Sequence, residues 1–388
     1  MKAMDDVMKT QRLKPWNAAL GVLICCALMT AAGCSDDEEA VGEGSLTVLL
    51  ESEDTITQGL TPGEGTENIR DGWTVTFDKY ITVVGDIDVY FSTNDGQEME
   101  APDVFAVDMT KVPEGGLALW DLKGLQAGRW EFNYSTLGAG DGAAPHESVA
   151  QADFDQMAAN DWTYLIDGVL AKADGQSCPP AALVNVGDKT PNGNKSGDND
   201  CFDAPSIRFT FGVSAETYFG PCEIDEVAGF AISDGGTQTV GATIHGDHIF
   251  FNGFPEGDEG GVTRLAQWLA DSDLNLDGTV TAEELGAIAP SQLPEIDARY
   301  QLGGSPITPL NNMYDYVTSQ LKTQGHYQGE GECPVDGVAH EHGHGEDDHD
   351  HEGEDHDHED EDHDHEGEDH EEGEDHDHED EDHDHEGE

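Results

Sequence analysis

Basic side chains are scarce in this sequence: 16 Lys and Arg stand against 84 Asp and Glu in 388 residues, a formal net charge of −68. Phosphate binding needs clustered Lys and Arg, so a nucleic-acid partner is excluded. The acid excess suits cations or a strongly solvated surface. Catalytic motifs are missing too. There is no G-x-S-x-G, no Walker loop and no H-E-x-x-H, so nothing in the sequence supports an enzyme. No C-x-x-C occurs, which argues against a cysteine zinc site. Long apolar runs are lacking as well. Ala18 to Gly33 offers sixteen apolar and small residues, short for a membrane-spanning helix and right for the apolar part of a signal peptide.

What is present divides the chain into parts. Residues 1–17 carry Lys2, Lys9, Arg12 and Lys14, and the apolar stretch ends Thr30-Ala31-Ala32-Gly33-Cys34. This leader (1–34) resembles a bacterial lipoprotein signal. The resemblance implies lipidation of Cys34, anchoring in a membrane, and, with Ser35 next, an outer-membrane destination. Simple secretion after cleavage near Ala32 is the alternative. The acidic run 35–44 reads as a flexible tether.

From residue 45 to 260 the apolar pattern is mostly period two. Candidate strands include Ser45 to Leu50, Trp73 to Phe77, Ile87 to Phe91, Asp103 to Val107, Leu117 to Leu122, Arg129 to Tyr134, Trp162 to Leu170, Ser206 to Val213 and Gly241 to Phe251. Gly, Asp and Pro clusters separate them. The pattern predicts a mostly β fold, a sandwich or open barrel, with a small helical segment (261–330) and a disordered tail. Four cysteines lie beyond the leader: Cys178, Cys201, Cys222 and Cys333. In an exported chain they suggest two disulfides. Three pairings are open; Cys178–Cys201 and Cys222–Cys333 are favoured, and buried thiols are the alternative.

Within this part, TIHGDHIFF supplies His245, Asp247 and His248 in four residues. On a strand His245 and Asp247 project to one face, and a turn at Gly246 brings His248 round. Two imidazoles and a carboxylate suit zinc, copper or iron if another ligand joins them. His146 and His326 are the other imidazoles outside the tail. The competing reading is a His–Asp hydrogen-bonded pair that orders a strand end.

Asp273 to Glu284 (DLNLDGTVTAEE) has oxygen donors at positions 1, 3, 5, 9 and 12: Asp273, Asn275, Asp277, Thr281 and Glu284. Gly278 at position 6 permits the sharp turn, Thr279 at position 7 offers its carbonyl, and Val280 at position 8 faces inward. Spacing and flanking helical patterns match the EF-hand family, which implies bound calcium. A lone site in an exported protein is expected to be structural rather than switching. Further on, Thr308 and Pro309 look like the start of a helix ending near Gly325.

The last 49 residues, from His340, are 14 His, 29 acids and 6 Gly, and GEDHDHEDEDHDHE recurs with a period of twenty. No core can form from this composition. The histidines (His340, His342, His344, His349, His351, His356, His358, His363, His365, His370, His376, His378, His383 and His385) make a dense set of imidazoles suited to zinc, copper or nickel. The tail resembles, in composition, His/Asp-rich stretches of bacterial zinc-uptake proteins.

The Cys34 leader, DGWTVTFDKY, RFTFGVSAETYFGPC, TIHGDHIFF and the Asp273 loop together resemble uncharacterised lipoproteins of myxobacteria, a group that implies architecture and no activity. The expected protein is a non-enzymatic, calcium-binding envelope lipoprotein with a metal-binding tail. A calcium-stabilised surface adhesin whose tail is a solubilising brush is the alternative, and a metalloenzyme centred on His245, Asp247 and His248 a more distant one.

Overall fold

Alternation settles the first strand. Glu43–Ser52 turns Leu46, Val48 and Leu50 fully inward and leaves the residues between them half-buried. In the computed structural model, residues 42–335 are described, apart from 93–96, 141, 255–260 and 294–295. The leader with Cys34, the tether to residue 41 and the His-rich tail lie outside the described residues.

Two sheets share one core, so the chain is mostly β as its pattern predicts. The smaller sheet has the order Gly325–Tyr327, Thr237–Ile244, Glu43–Ser52, Leu117–Gln126. The larger one runs Thr217–Phe219, Gly128–Thr136, Thr74–Phe91, Tyr164–Ala171, Ser206–Val213, Thr279–Thr281. Glu98–Asp108 and Phe230–Ile232 pair alongside that path. Leu46 and Leu50 from the small sheet belong to one buried cluster with Val75, Phe132 and Phe209 from the large one. Trp268, Leu285, Val317 and Leu321 of the helical segment join the same cluster. Each such side chain contributes roughly 1.5–3 kcal/mol on burial.

Thr74–Phe91 is one long strand where two short ones were expected. Register shifts at Phe77/Lys79 against Tyr164–Ala171 and at Gly85/Asp88 against Gly128–Thr136 bend it, with Asp86 at φ 51°; its first half pairs with the former strand and its second with the latter. The expected strand Gly241 to Phe251 instead ends at Ile244, and a single 3₁₀ turn covers His248–Phe250. Gly246 permits that departure, because a Cβ there would come within 2.4 Å of the Ile56 side chain. The late helix spans Met313–Leu321 and is capped by Asn312, whose Oδ1 accepts from Asp315 N at 2.8 Å, rather than by Thr308. A helix at Gln151–Asn160, weakly amphipathic and acidic, was not legible.

The disulfides are Cys178–Cys201 and Cys222–Cys333. Among the described residues, no helix is long and apolar enough to cross a membrane.

Candidate metal sites

The pairing of Glu43–Ser52 with Thr237–Ile244 is parallel and ends level, Ser52 opposite Ile244. Glu53 and His245 therefore leave the sheet side by side. On the other flank Gly325–Tyr327 runs antiparallel, with His326 opposite Thr243. The 3₁₀ turn after Gly246 folds His248 back toward the same end. Three short rules of chain geometry thus gather His245, His248 and His326, whose ligand atoms all lie within 4.8 Å of one another. Glu53, His245 and Asp247 form an overlapping group on the same limit. His245 and His248 are 1% and 2% exposed, so their rings are held by packing. His245 stacks on His326 with centroids 3.9 Å apart, and His248 stacks on Phe251 at 4.4 Å.

Hydrogen bonds fix which ring nitrogens are basic. Thr323 Oγ1 donates to Gln320 O at 2.8 Å, so toward His248 Nδ1, at 2.9 Å, it accepts. His248 consequently carries its proton on Nδ1 and presents a lone pair at Nε2. His245 Nε2 faces the carbonyl of Gly329 at 3.0 Å, and a carbonyl only accepts, so Nδ1 is the basic atom there. Glu53 Oε2 lies 3.6 Å from that Nδ1. His248 Nε2 and His326 Nε2 are 3.3 Å apart. A tetrahedral ion with bonds of about 2.0–2.1 Å has N···N edges of about 3.3–3.4 Å. The donor set, imidazole nitrogens with a carboxylate at hand, fits a borderline divalent ion.

Asp247 has a different main partner. Its Oδ2 pairs with Arg264 Nε at 2.5 Å, and Arg264 continues to Glu67 at 3.1 Å and Thr66 O at 2.6 Å. Oδ1 of Asp247 is buried and has no hydrogen-bond partner among the described residues. Nearby, burial first, then Tyr164 and the charges of Asp247 and Glu53, raise the Tyr80 hydroxyl well above its usual value, so it stays neutral.

The Asp273 loop is folded as a tight oxygen-lined turn. Asp273 accepts from Asp277 N at 3.1 Å and Gly278 N at 2.9 Å. Asn275 Oδ1 accepts from Asp277 N at 2.7 Å, and Asp277 Oδ1 from Thr279 N at 2.8 Å. Gly278 takes φ 87°, which favours glycine. Glu284 Oε1 reaches back to Leu274 N at 3.1 Å, while Oε2 accepts from Thr281 N at 3.0 Å. Burial, with the charges of Glu284 and Asp277 added, pushes the Asp273 carboxyl up to about 6 against the pull of the Gly278 and Asp277 amides. Thr279–Thr281 joins the edge of the large sheet, in parallel with Ser206–Val213, and places Val280 beside Phe209. Among the described residues, Asp273, Asp277 and Glu284 do not converge within the limit that unites the three histidines.

Sequence reasoning placed His245 and His248 together and named His326 as an available third imidazole. Glu53 was missed: it is one of many acids, and only the parallel register sets it beside His245. His146 is used elsewhere, accepting from Ser148 N at 3.2 Å.

No protein-family model matches the chain, and no curated protein matches it. Among solved structures, MbnP from Methylosinus trichosporium is similar over 69% of this chain and 96% of that chain, at 13% identity and a TM-score of 0.22.

Proposed function

We propose that this is an exported metal-binding protein with two chemically distinct cation sites in its folded part. A transition metal such as zinc, copper or nickel is held by His245, His248 and His326, with Glu53 as the carboxylate at hand. Calcium is held by the EF-hand-like loop through Asp273, Asn275, Asp277, Thr279, Thr281 and Glu284. Hard oxygen donors select calcium and imidazoles select the borderline ion, so the two sites do not compete. Calcium is structural, because its loop contributes a strand to the large sheet. The His-rich tail gathers metal, and a lipid on Cys34 keeps the protein at the outer membrane of a bacterial envelope. Two disulfides fit an oxidising compartment.

The observation that carries the transition-metal reading is the 3.3 Å spacing of the His248 and His326 Nε2 atoms. The full chain is loaded with zinc and then dialysed against a chelator of moderate strength, chosen to strip the tail. The native protein keeps one zinc, and His248→Ala/His326→Ala keeps none. Equal retention by both proteins rejects the site.

A further inference from the structure

The segment that carries His326 pairs with Thr237–Ile244 on one side, and one covalent staple ties its return arm to the chain on the other. Gly325–Tyr327 turns back through Gln328 and Gly329, and Tyr327 and Gly331 exchange backbone hydrogen bonds, both at 2.9 Å. The return arm pairs with the chain around Cys222: Glu223 and Glu332 exchange bonds at 2.8 and 2.9 Å, and Gly220 N donates to Pro334 O at 3.0 Å. Cys222–Cys333 crosses this seam, with Cys222 fully buried and Cys333 8% exposed.

Beside the seam lies a cavity of about 700 Å³ whose charged lining is entirely acidic: Glu223, Asp225, Glu226, Glu330 and Glu332. Gly329 lines the same cavity, and its carbonyl takes the proton-bearing nitrogen of His245. Like charges around one cavity work against the closed arrangement, and the covalent link opposes them.

We infer that the Cys222–Cys333 disulfide completes the three-histidine site, so that the site gains its affinity only after the chain reaches an oxidising compartment. This rests on the transition-metal reading above. The step is thiol–disulfide exchange: Cys222 and Cys333 give two protons and two electrons to a disulfide oxidant, which leaves as two thiols. In the reduced chain the carboxylates push the return arm away, and Gly329 and His326 shift from His245 and His248. The reducing interior of the cell is thereby kept from loading the site before export.

The test uses the full chain with cobalt(II) as the probe. Visible spectra are taken as differences from His248→Ala/His326→Ala, which cancels the tail. The oxidised protein binds cobalt at the site; Cys222→Ser/Cys333→Ser binds it at least tenfold more weakly. About 1 M NaCl, which shortens the screening length to roughly 3 Å, restores part of that loss. Cys178→Ser/Cys201→Ser leaves cobalt binding unchanged. Equal cobalt affinity in the native and Cys222→Ser/Cys333→Ser proteins overturns the inference. Absence of a cobalt signal in the oxidised native protein overturns the metal reading instead, and the staple is then judged by hydrogen exchange of the metal-free chain. There the amides of Tyr327, Gly329 and Gly331 exchange at least tenfold faster in the serine pair; unchanged rates overturn the staple on their own.

Discussion

Thr323 sets the chemistry of His248. Its hydroxyl proton goes to Gln320 O, so its oxygen accepts from His248 Nδ1 at 2.9 Å and leaves Nε2 basic, toward His326. Such an outer partner fixes the tautomer and aim of a ligand and commonly accounts for about 10–100-fold in metal affinity. Thr323→Val should weaken zinc binding by about that factor, and Thr323→Ser should retain it. Zinc titrations of the two variants in the full chain, read against His248→Ala/His326→Ala, provide the check.

The Asp273 loop gives a prediction in pH. Its carboxyl titrates at about 6 in the folded, calcium-free protein against an ordinary 3.8. Between those values the folded state holds a proton that the unfolded chain has lost, so this group makes the calcium-free protein less stable as pH rises from about 4 to about 6. Calcium must displace that proton. One pH unit below the midpoint, affinity should fall about tenfold, and calcium titrations at pH 5 and pH 7.5 read it directly. Asp273→Ala/Glu284→Ala should abolish calcium binding and the calcium-dependent rise in melting temperature.

Arg264 and Asp247 form a buried pair, 2% and 0% exposed. Breaking such a pair from one side leaves an uncompensated charge at a cost of about 3–5 kcal/mol. Arg264→Met should show that loss in urea unfolding. Arg264→Met/Asp247→Asn should recover much of it, because the orphaned charge is gone.

The tail's contribution is separable. Removing residues 339–388 should leave the melting temperature of the folded part within experimental error and abolish most of the low-affinity zinc uptake of the full chain. A protein that captures zinc equally well without these residues would reduce the tail to a solubilising brush.

Much of this molecule is legible in its sequence where the signal is local. Alternation of Leu46, Val48 and Leu50 reveals the first strand, and Gly278 with its flanking oxygens reveals the acidic loop. Local signals fail where a distant partner decides. Period two cannot show that Thr74–Phe91 is one bent strand, because the bend lies in bulges that pairing creates. The motif around His245 reads like a continuing strand until Gly246 meets Ile56, which is 190 residues away in the chain. Glu53 resembles any other acid until the parallel register brings it to His245. Thr308 has the composition of a helix cap, yet Asn312 supplies the bond at the actual start.

The pairing of Glu43–Ser52 with Thr237–Ile244, and of the latter with Gly325–Tyr327, carries a consequence for biosynthesis. The first strand waits for a neighbour made almost two hundred residues later, and that neighbour waits again for its own edge to be covered. Sheets closed over such distances form slowly. A nascent chain halted before Gly325 has two of the three imidazoles and a bare strand edge, the kind of surface that pairs with other chains. Quality of manufacture would thus be written into the metal content: a molecule able to hold an ion at all three histidines has been translated through Gly325–Tyr327.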